Sequence, residues 1–314
     1  MRQPWGNPPH RLSLPSAVKS VYTIADLPEL AALRPAARLG VVGNPIAHSL
    51  SPPMQQAALD AQQRPVRYVR LLCERGEGDF PALIHALQQQ GFIGVNVTVP
   101  FKRNAFALAD EADALSSLCG AANTLVFGEG GKIRCFNTDG PGFERAVSEL
   151  AAKPLCEMRV LLLGACGGAG SALAAQCVLS GCPQLSLVNR PRPELGQLAA
   201  KLRPCNPRCS VHALTFGDPA LQDAVAEADL IVNATSLGLA EGDALPLPAE
   251  WLQKKHTVYD IVTHATPFGK AANERGCRAS DGRRMLLWQG ALAYEHWFAS
   301  LPPIELMNQA LKGD

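Results

Sequence analysis

A few short stretches of this chain concentrate side chains able to do chemistry. Asn96-Val97-Thr98-Val99-Pro100-Phe101-Lys102 sets a lysine just past a β-branched run, and sites form at strand ends in open α/β sheets. Taken alone, a lysine placed like Lys102 is more often a surface lysine. Asn137-Thr138-Asp139-Gly140 places a carboxylate in a turn, a position Asp also takes for structural reasons. Ser49 and Ser51 lie between an apolar run and a helical pattern. Their hydroxyls are placed to bind a small anion such as a carboxylate, and Ser51 reads equally as a helix N-cap.

The fourth stretch is Gly164-Ala165-Cys166-Gly167-Gly168-Ala169-Gly170. An apolar run, Met158 to Leu163, precedes it. A helical run to Gly181 and a second apolar run, Gln184 to Val188, follow. Strand, glycine turn, helix and strand in that order suit a dinucleotide site. Glycine lets the backbone approach a pyrophosphate, and the helix N-terminus supplies N–H groups. Cys166 stands where the usual fingerprint has its second glycine, and tight helix–sheet packing is the other reading of the turn. Asn189-Arg190-Pro191-Arg192 then offers two cations and no acid. NAD sites place an acid there for the ribose 2′-OH, whereas Arg190 and Arg192 suit a 2′-phosphate. A solvated basic loop is the alternative.

The elements that must hold these groups alternate. Arg38–Gly43, Val66–Cys73 and Gly94–Val99 read as strands. Residues 53–60, with Ser51 as N-cap, and Asp79–Gln90 read as helices. Alternation of this kind predicts parallel βαβ units. A fresh alternation starts at Arg159, and residues 283–314 are helical without a strand of their own. The fold class is therefore α/β, with two blocks of alternation and a third, helical block expected to pack back on one of them. Residues 1–20, broken by Pro4, Pro8, Pro9 and Pro15, are expected to form a disordered extension.

Composition narrows the partners. The 314 residues are 47% hydrophobic and 18% charged, enough to bury a core. A net charge of +1 gives no general attraction to nucleic acid or an anionic membrane. Val160–Ser180 carries no charge, but its glycines fit a strand, turn and buried helix better than a membrane span. The N-terminus has no apolar core of signal-peptide length, so a cytoplasmic protein is expected. The ten cysteines are then expected to stay reduced. Most read as small core residues; Cys205 and Cys209, in a Pro-rich stretch, look free to oxidise, and a bound cofactor is expected to shield Cys166. No zinc-type spacing occurs, so no metal site is expected.

Together the motifs closely resemble the shikimate dehydrogenase family. They are GVVGNPIAHSLSP (40–52), GVNVTVPFK (94–102), GAANTL (120–125), FNTDGPGF (136–143), the glycine turn, NR (189–190), VNATSLGL (232–239) and MLLWQGALAYEHW (285–297). They follow the family's order from about Val21 to Ser300. The resemblance implies reversible reduction of 3-dehydroshikimate to shikimate with NADP, the alternatives being a quinate/shikimate dehydrogenase using NAD or a paralogue with a different substrate. It also implies an N-terminal open α/β substrate domain, 21–139 plus 283–314, with a Rossmann-type domain, 140–282, inserted in it. It implies Lys102 and Asp139 as the catalytic pair, and Ser49 and Ser51 on the substrate carboxylate. Thr98, Asn123 and Gln289 would bind ring hydroxyls. Gly164, Cys166, Gly167, Gly168, Ala169, Asn189, Arg190 and Arg192 would hold the cofactor, with Thr235, Leu237 and Gly238 near its nicotinamide. A small-molecule substrate is then the expected partner, for a monomer or homodimer. Two departures bear on the substrate. Thr263 stands where the family has a tyrosine, leaving Thr263 or His264 to replace its hydrogen bond. Trp288 precedes Gln289 where a smaller residue is usual, and is expected to reshape the pocket rim.

Overall fold

The computed structural model describes residues 18–74 and 79–312. Its first half comprises α1 (Leu27–Ala32), β1 (Ala36–Gly43), α2 (Ser51–Ala61), β2 (Val66–Leu72), α3 (Asp79–Gln89), β3 (Gly94–Val97), α4 (Lys102–Leu108), β4 (Glu111–Ala112), α5 (Ala114–Cys119), β5 (Thr124–Phe127) and β6 (Ile133–Phe136). The rest is α6 (Asp139–Ala151), β7 (Arg159–Leu163), α7 (Gly168–Leu179), β8 (Gln184–Asn189), α8 (Pro193–Leu202), β9 (Ser210–Thr215), α9 (Leu221–Glu227), β10 (Leu230–Asn233), β11 (Thr257–Asp260), α10 (Pro267–Glu274), β12 (Arg278–Ser280), α11 (Arg283–Phe298) and α12 (Ile304–Lys312).

Two sheets result. The second runs β12-β11-β10-β7-β8-β9 and every pairing in it is parallel. Its central strand β7 is apolar on both faces, as a doubly covered strand requires. Val160 and Leu162 pack with Leu173 of α7 and Phe143 of α6. Leu161 and Leu163 face Val225 of α9 and Phe268 of α10. The strand order reverses between β7 and β10, and at such a switch point the loops part to make a crevice.

The first sheet runs β2-β1-β3-β5-β6-β4. Its β2-β1-β3 part is parallel, as expected, but β5 pairs antiparallel with both β3 and β6. Residues 128–132 explain the β5–β6 pairing: they are far fewer than the dozen or so that a parallel crossover needs. Gly130 and Gly131 turn the chain with φ of 67° and 79°. One face of the sheet packs on Leu30 of α1, Ile84 of α3 and Ala105 of α4. The other packs on Met54 of α2, Leu287 and Tyr294 of α11, and Met307 of α12. The C-terminal helices thus cover the sheet formed by the first part of the chain.

Two expectations need correcting. Ser51 is the first residue of α2 rather than its cap; Leu50 holds the cap position with no side-chain bond, and the Ser51 N–H instead reaches Ser49 Oγ at 3.3 Å. Residues 1–17 of the expected extension lie outside the described residues, but its end is anchored. Lys19 Nζ lies 2.7 Å from both Asp26 and Glu29.

Helix α6 ties the halves together. Its residues 139 and 140, where the expected boundary falls, form the helix's first turn, and the helix packs on both α7 and α11. The approach to α11 depends on Gly142, where an added Cβ would lie 2.7 Å from the Gln289 backbone nitrogen. Alanine ordinarily stabilises a helix interior relative to glycine. Here Gly142→Ala is expected to destabilise by about 1–3 kcal/mol, because two helices must separate. A thermal melt checks this, and a raised Tm would contradict it.

Candidate active site

Lys102 and Asp139 meet at the centre of the molecule, with Nζ 2.6 Å from Oδ2. Their side chains are only 13% and 8% exposed. Each begins a helix: Lys102 opens α4 and Asp139 opens α6. A helix N-terminus is electropositive, so it favours Asp139 and disfavours a cation such as Lys102. Lys102 therefore depends on the carboxylate beside it.

A buried polar network holds that carboxylate. Asn123 Nδ2 donates to Asp139 Oδ1 at 2.9 Å and lies 3.4 Å from Gln289 Oε1. Asn123 Oδ1 accepts from the Thr138 N–H at 2.8 Å and from the Thr138 hydroxyl at 3.1 Å. Asn137 Oδ1 receives the Asp139 N–H at 3.1 Å. Asn96, inside the NVTVPFK stretch, donates to the Asn123 carbonyl at 3.2 Å and to Thr124 Oγ1 at 3.0 Å. Asn96, Thr124 and Thr138 are supports that residue types alone did not single out. Their burial, invisible in the sequence, is what marks them.

The predicted substrate residues surround this network on separate elements. Thr98 follows β3, with its N–H on the Val42 carbonyl at 2.9 Å. An added Cβ on Gly43 would lie 2.4 Å from Thr98 Cγ2, so the ends of β1 and β3 touch. Ser49 and Ser51 lie in the loop after β1 and at the start of α2. Gln289 is buried on α11, its Nε2 donating to the Leu286 carbonyl at 2.8 Å. Thr263 is half-buried just past β11. His264 is engaged elsewhere: its Nε2 lies 3.0 Å from the Gly238 carbonyl. A carbonyl only accepts, so Nε2 carries the proton in that bond. Trp288 packs against α6. Its Nε1 donates to Glu149 at 3.0 Å, and the Arg145 and Arg284 guanidiniums lie 5.3 and 5.7 Å from its ring.

The glycine turn faces this site from the second sheet. Gly164 adopts φ of 83°, and a Cβ there would lie 2.6 Å from the Ala234 carbonyl. A Cβ on Gly170 would lie 2.2 Å from the Gly164 carbonyl. Gly167 is the cap of α7 and no side chain bonds to that helix end. The N–H groups of Gly168 and Ala169 can therefore meet an anion. Built at Gly168, a Cβ would stand 3.8 Å from Lys102 Cδ, so turn and lysine are neighbours. Across the switch point, Thr235 Oγ1 donates to Asn233 Oδ1 at 2.6 Å and receives the Leu237 N–H at 3.1 Å. Gly238, with φ of 101°, has its N–H on Asp243 at 2.8 Å.

Asn189 is buried at the end of β8, while Arg190 and Arg192 are exposed. Neither arginine has a carboxylate within ion-pair distance among the described residues. Cys166 is 7% exposed. Burial pushes its thiol up, against the pull of the Arg192 and Arg103 charges. Cys209 is buried as well, with its Sγ 3.5 Å from Cys182 Sγ, so only Cys205 of the suspected pair is exposed. Among the described residues no group of three His, Cys, Asp or Glu could hold a metal ion, and no helix is long and apolar enough to cross a membrane.

The geometry can present a proton and a positive charge to an oxygen beside Lys102, between an anion-binding helix end and a polar pocket. Comparison with known proteins gives the family. The shikimate dehydrogenase substrate binding domain matches residues 41–125, and the shikimate 5′-dehydrogenase C-terminal domain matches 282–312. The shikimate dehydrogenase (NADP(+)) of Moorella thermoacetica is 37% identical over 278 residues, covering 87% of this chain and 92% of that protein. The shikimate 5-dehydrogenase of Thermus thermophilus, solved with NADP(H) and shikimate, superposes with a TM-score of 0.75 at 32% identity, covering 88% and 98% of the two chains. The quinate dehydrogenase of Corynebacterium glutamicum in complex with NAD gives 0.79 at 30% identity over the same shares.

Proposed function

The chain belongs to the shikimate dehydrogenase family, and from that premise we propose that it catalyses the reversible NADP-linked reduction of 3-dehydroshikimate to shikimate. The observation that carries this reading is the Lys102–Asp139 pair, closed at 2.6 Å beside the N-terminus of α7. Residues 21–139 with 283–314 form the substrate unit in this reading, and 140–282 the dinucleotide unit.

Bound NADPH supplies a hydride to the substrate ketone. The protein's part is electrostatic and protonic. As the carbon is reduced, negative charge grows on the oxygen; the Lys102 ammonium stabilises that charge and gives up a proton to it. In the reverse direction the lysine takes the hydroxyl proton. Asp139 holds Lys102 with Oδ2, while Asn123 fixes its other oxygen, so the ammonium does not have to reorient during the reaction. Asp139 then accepts a ring hydroxyl together with Asn123, Thr98 and Gln289. Such a polar lining suits a polyol, since each buried donor left unpaired costs about 1–3 kcal/mol. Ser49 and Ser51 take the carboxylate, and Thr263 is the residue nearest in sequence to the missing tyrosine's role.

The residues fit NADP. Gly164 and Gly170 let the turn pack closely, because a Cβ there would strike the Ala234 and Gly164 carbonyls, and the N-terminus of α7 that this turn presents has no side-chain cap. Gly164, Cys166, Gly167, Gly168 and Ala169 would line the pyrophosphate, with Asn189, Arg190 and Arg192 at the adenosine 2′-phosphate. Thr235, Leu237 and Gly238 would lie beside the nicotinamide.

Two experiments test this reading. Steady-state rates on shikimate and quinate, each with NADP and NAD, are expected to be highest for shikimate with NADP; a preference for quinate with NAD would overturn it. Arg190→Ala is expected to raise KM for NADPH by about tenfold or more and to change that for NADH little, because only the phosphate needs the fork. Equal losses for both would remove the 2′-phosphate role.

A further inference from the structure

The loop after β1 is tied to β2 by two side chains that no motif singled out. Tyr68 and Arg70 are two residues apart on β2, so they leave the same face of the sheet. Arg70 donates from Nε and Nη2 to the Ser49 carbonyl, at 3.2 and 2.8 Å. The buried Tyr68 hydroxyl donates to Asn96 Oδ1 at 2.7 Å. Burial pushes that phenol well above its ordinary range, and a hydrogen bond with Ser51 and the charge of Arg70 draw it back. A single polar chain thus runs from Ser51 through Tyr68 and Asn96 to Asn123, Asp139 and Lys102.

Arg70 brings a charge to this chain. It is half-buried, and among the described residues no carboxylate lies within ion-pair distance of it. Two of its N–H groups are engaged by a neutral carbonyl, and its remaining side-chain donors have no hydrogen-bond partner among the described residues. Ser49 and Ser51 supply only neutral hydroxyls to the carboxylate assigned to them. An anion leaving water is better matched by a fixed guanidinium, which carries charge and several aligned donors. His48, the other titratable group in the loop, is exposed.

We propose that Arg70 is a substrate-binding residue, its guanidinium set by the Ser49 carbonyl to pair with the carboxylate held by the Ser49 and Ser51 hydroxyls. This rests on reading the chain as acting on shikimate.

The test compares shikimate with its methyl ester, for the wild type and for Arg70→Gln, at saturating NADP. Arg70→Gln is expected to raise KM for shikimate about tenfold while leaving kcat and the KM for the ester within about threefold. An equal loss on acid and ester would show that Arg70 merely holds the loop, and no change on the acid would likewise overturn the proposal. Should Arg70→Gln not fold, the wild type decides. Its preference for acid over ester is expected to shrink as salt rises from about 0.05 to 0.5 M, because screening weakens a partly exposed ion pair; a salt-independent preference would overturn the proposal. Wild-type inactivity on shikimate would instead overturn the functional reading beneath it.

Discussion

The contact between Lys102 Nζ and Asp139 Oδ2 organises this molecule. It joins the first residues of α4 and α6, and so binds the end of β3 to the end of β6. A lysine at a helix N-terminus is a poor resident there without an anion. Supplying that anion takes a helix, α6, that starts in one half and packs against α7 of the other. The anion in turn requires Asn123 on its second oxygen, and Asn123 requires Thr138, Asn96 and Thr124 around it. These groups are buried together because each completes another's hydrogen bonds, which is the condition under which a polar cluster survives inside a protein.

Both sheets bring their loops to this point by the same rule. In the first, β1 and β3 flank the crevice that takes Ser49, Ser51, Thr98 and Lys102. In the second, β7 and β10 flank the crevice between the glycine turn and Thr235. The C-terminal helix α11 then closes the first crevice, because Gln289 can reach Asn123 only if Gly142 lets two helices come close. The Glu149, Arg284 and Trp288 contacts hold that approach from outside. The end of the chain thus serves a site begun by its first third.

Much of this was legible before any coordinates. The β7 apolar run, the glycine turn and the alternation that follows it define a parallel sheet on their own. Lys102, Asp139 and the serines were visible as residue types at strand and helix ends. Other features depend on long-range geometry. The antiparallel pairing of β5 with β6 follows from a short turn, whereas its antiparallel place beside β3 is set by long-range packing. Ser51 looked like a cap because capping and anion binding use the same hydroxyl at the same place. Arg70 sits in an ordinary strand position, and only the fold aims it at the serine loop. Cys209 lay near Cys205 in sequence, whereas packing set it against Cys182.

If the ion pair is the centre of the chemistry, Lys102 acts in the transition state and not in holding the substrate. Lys102→Ala tests that most directly, by measuring kcat together with the dissociation constant for shikimate. The expected result is a fall in kcat of about a thousandfold or more with the dissociation constant within about threefold of wild type. Unchanged turnover would contradict the account.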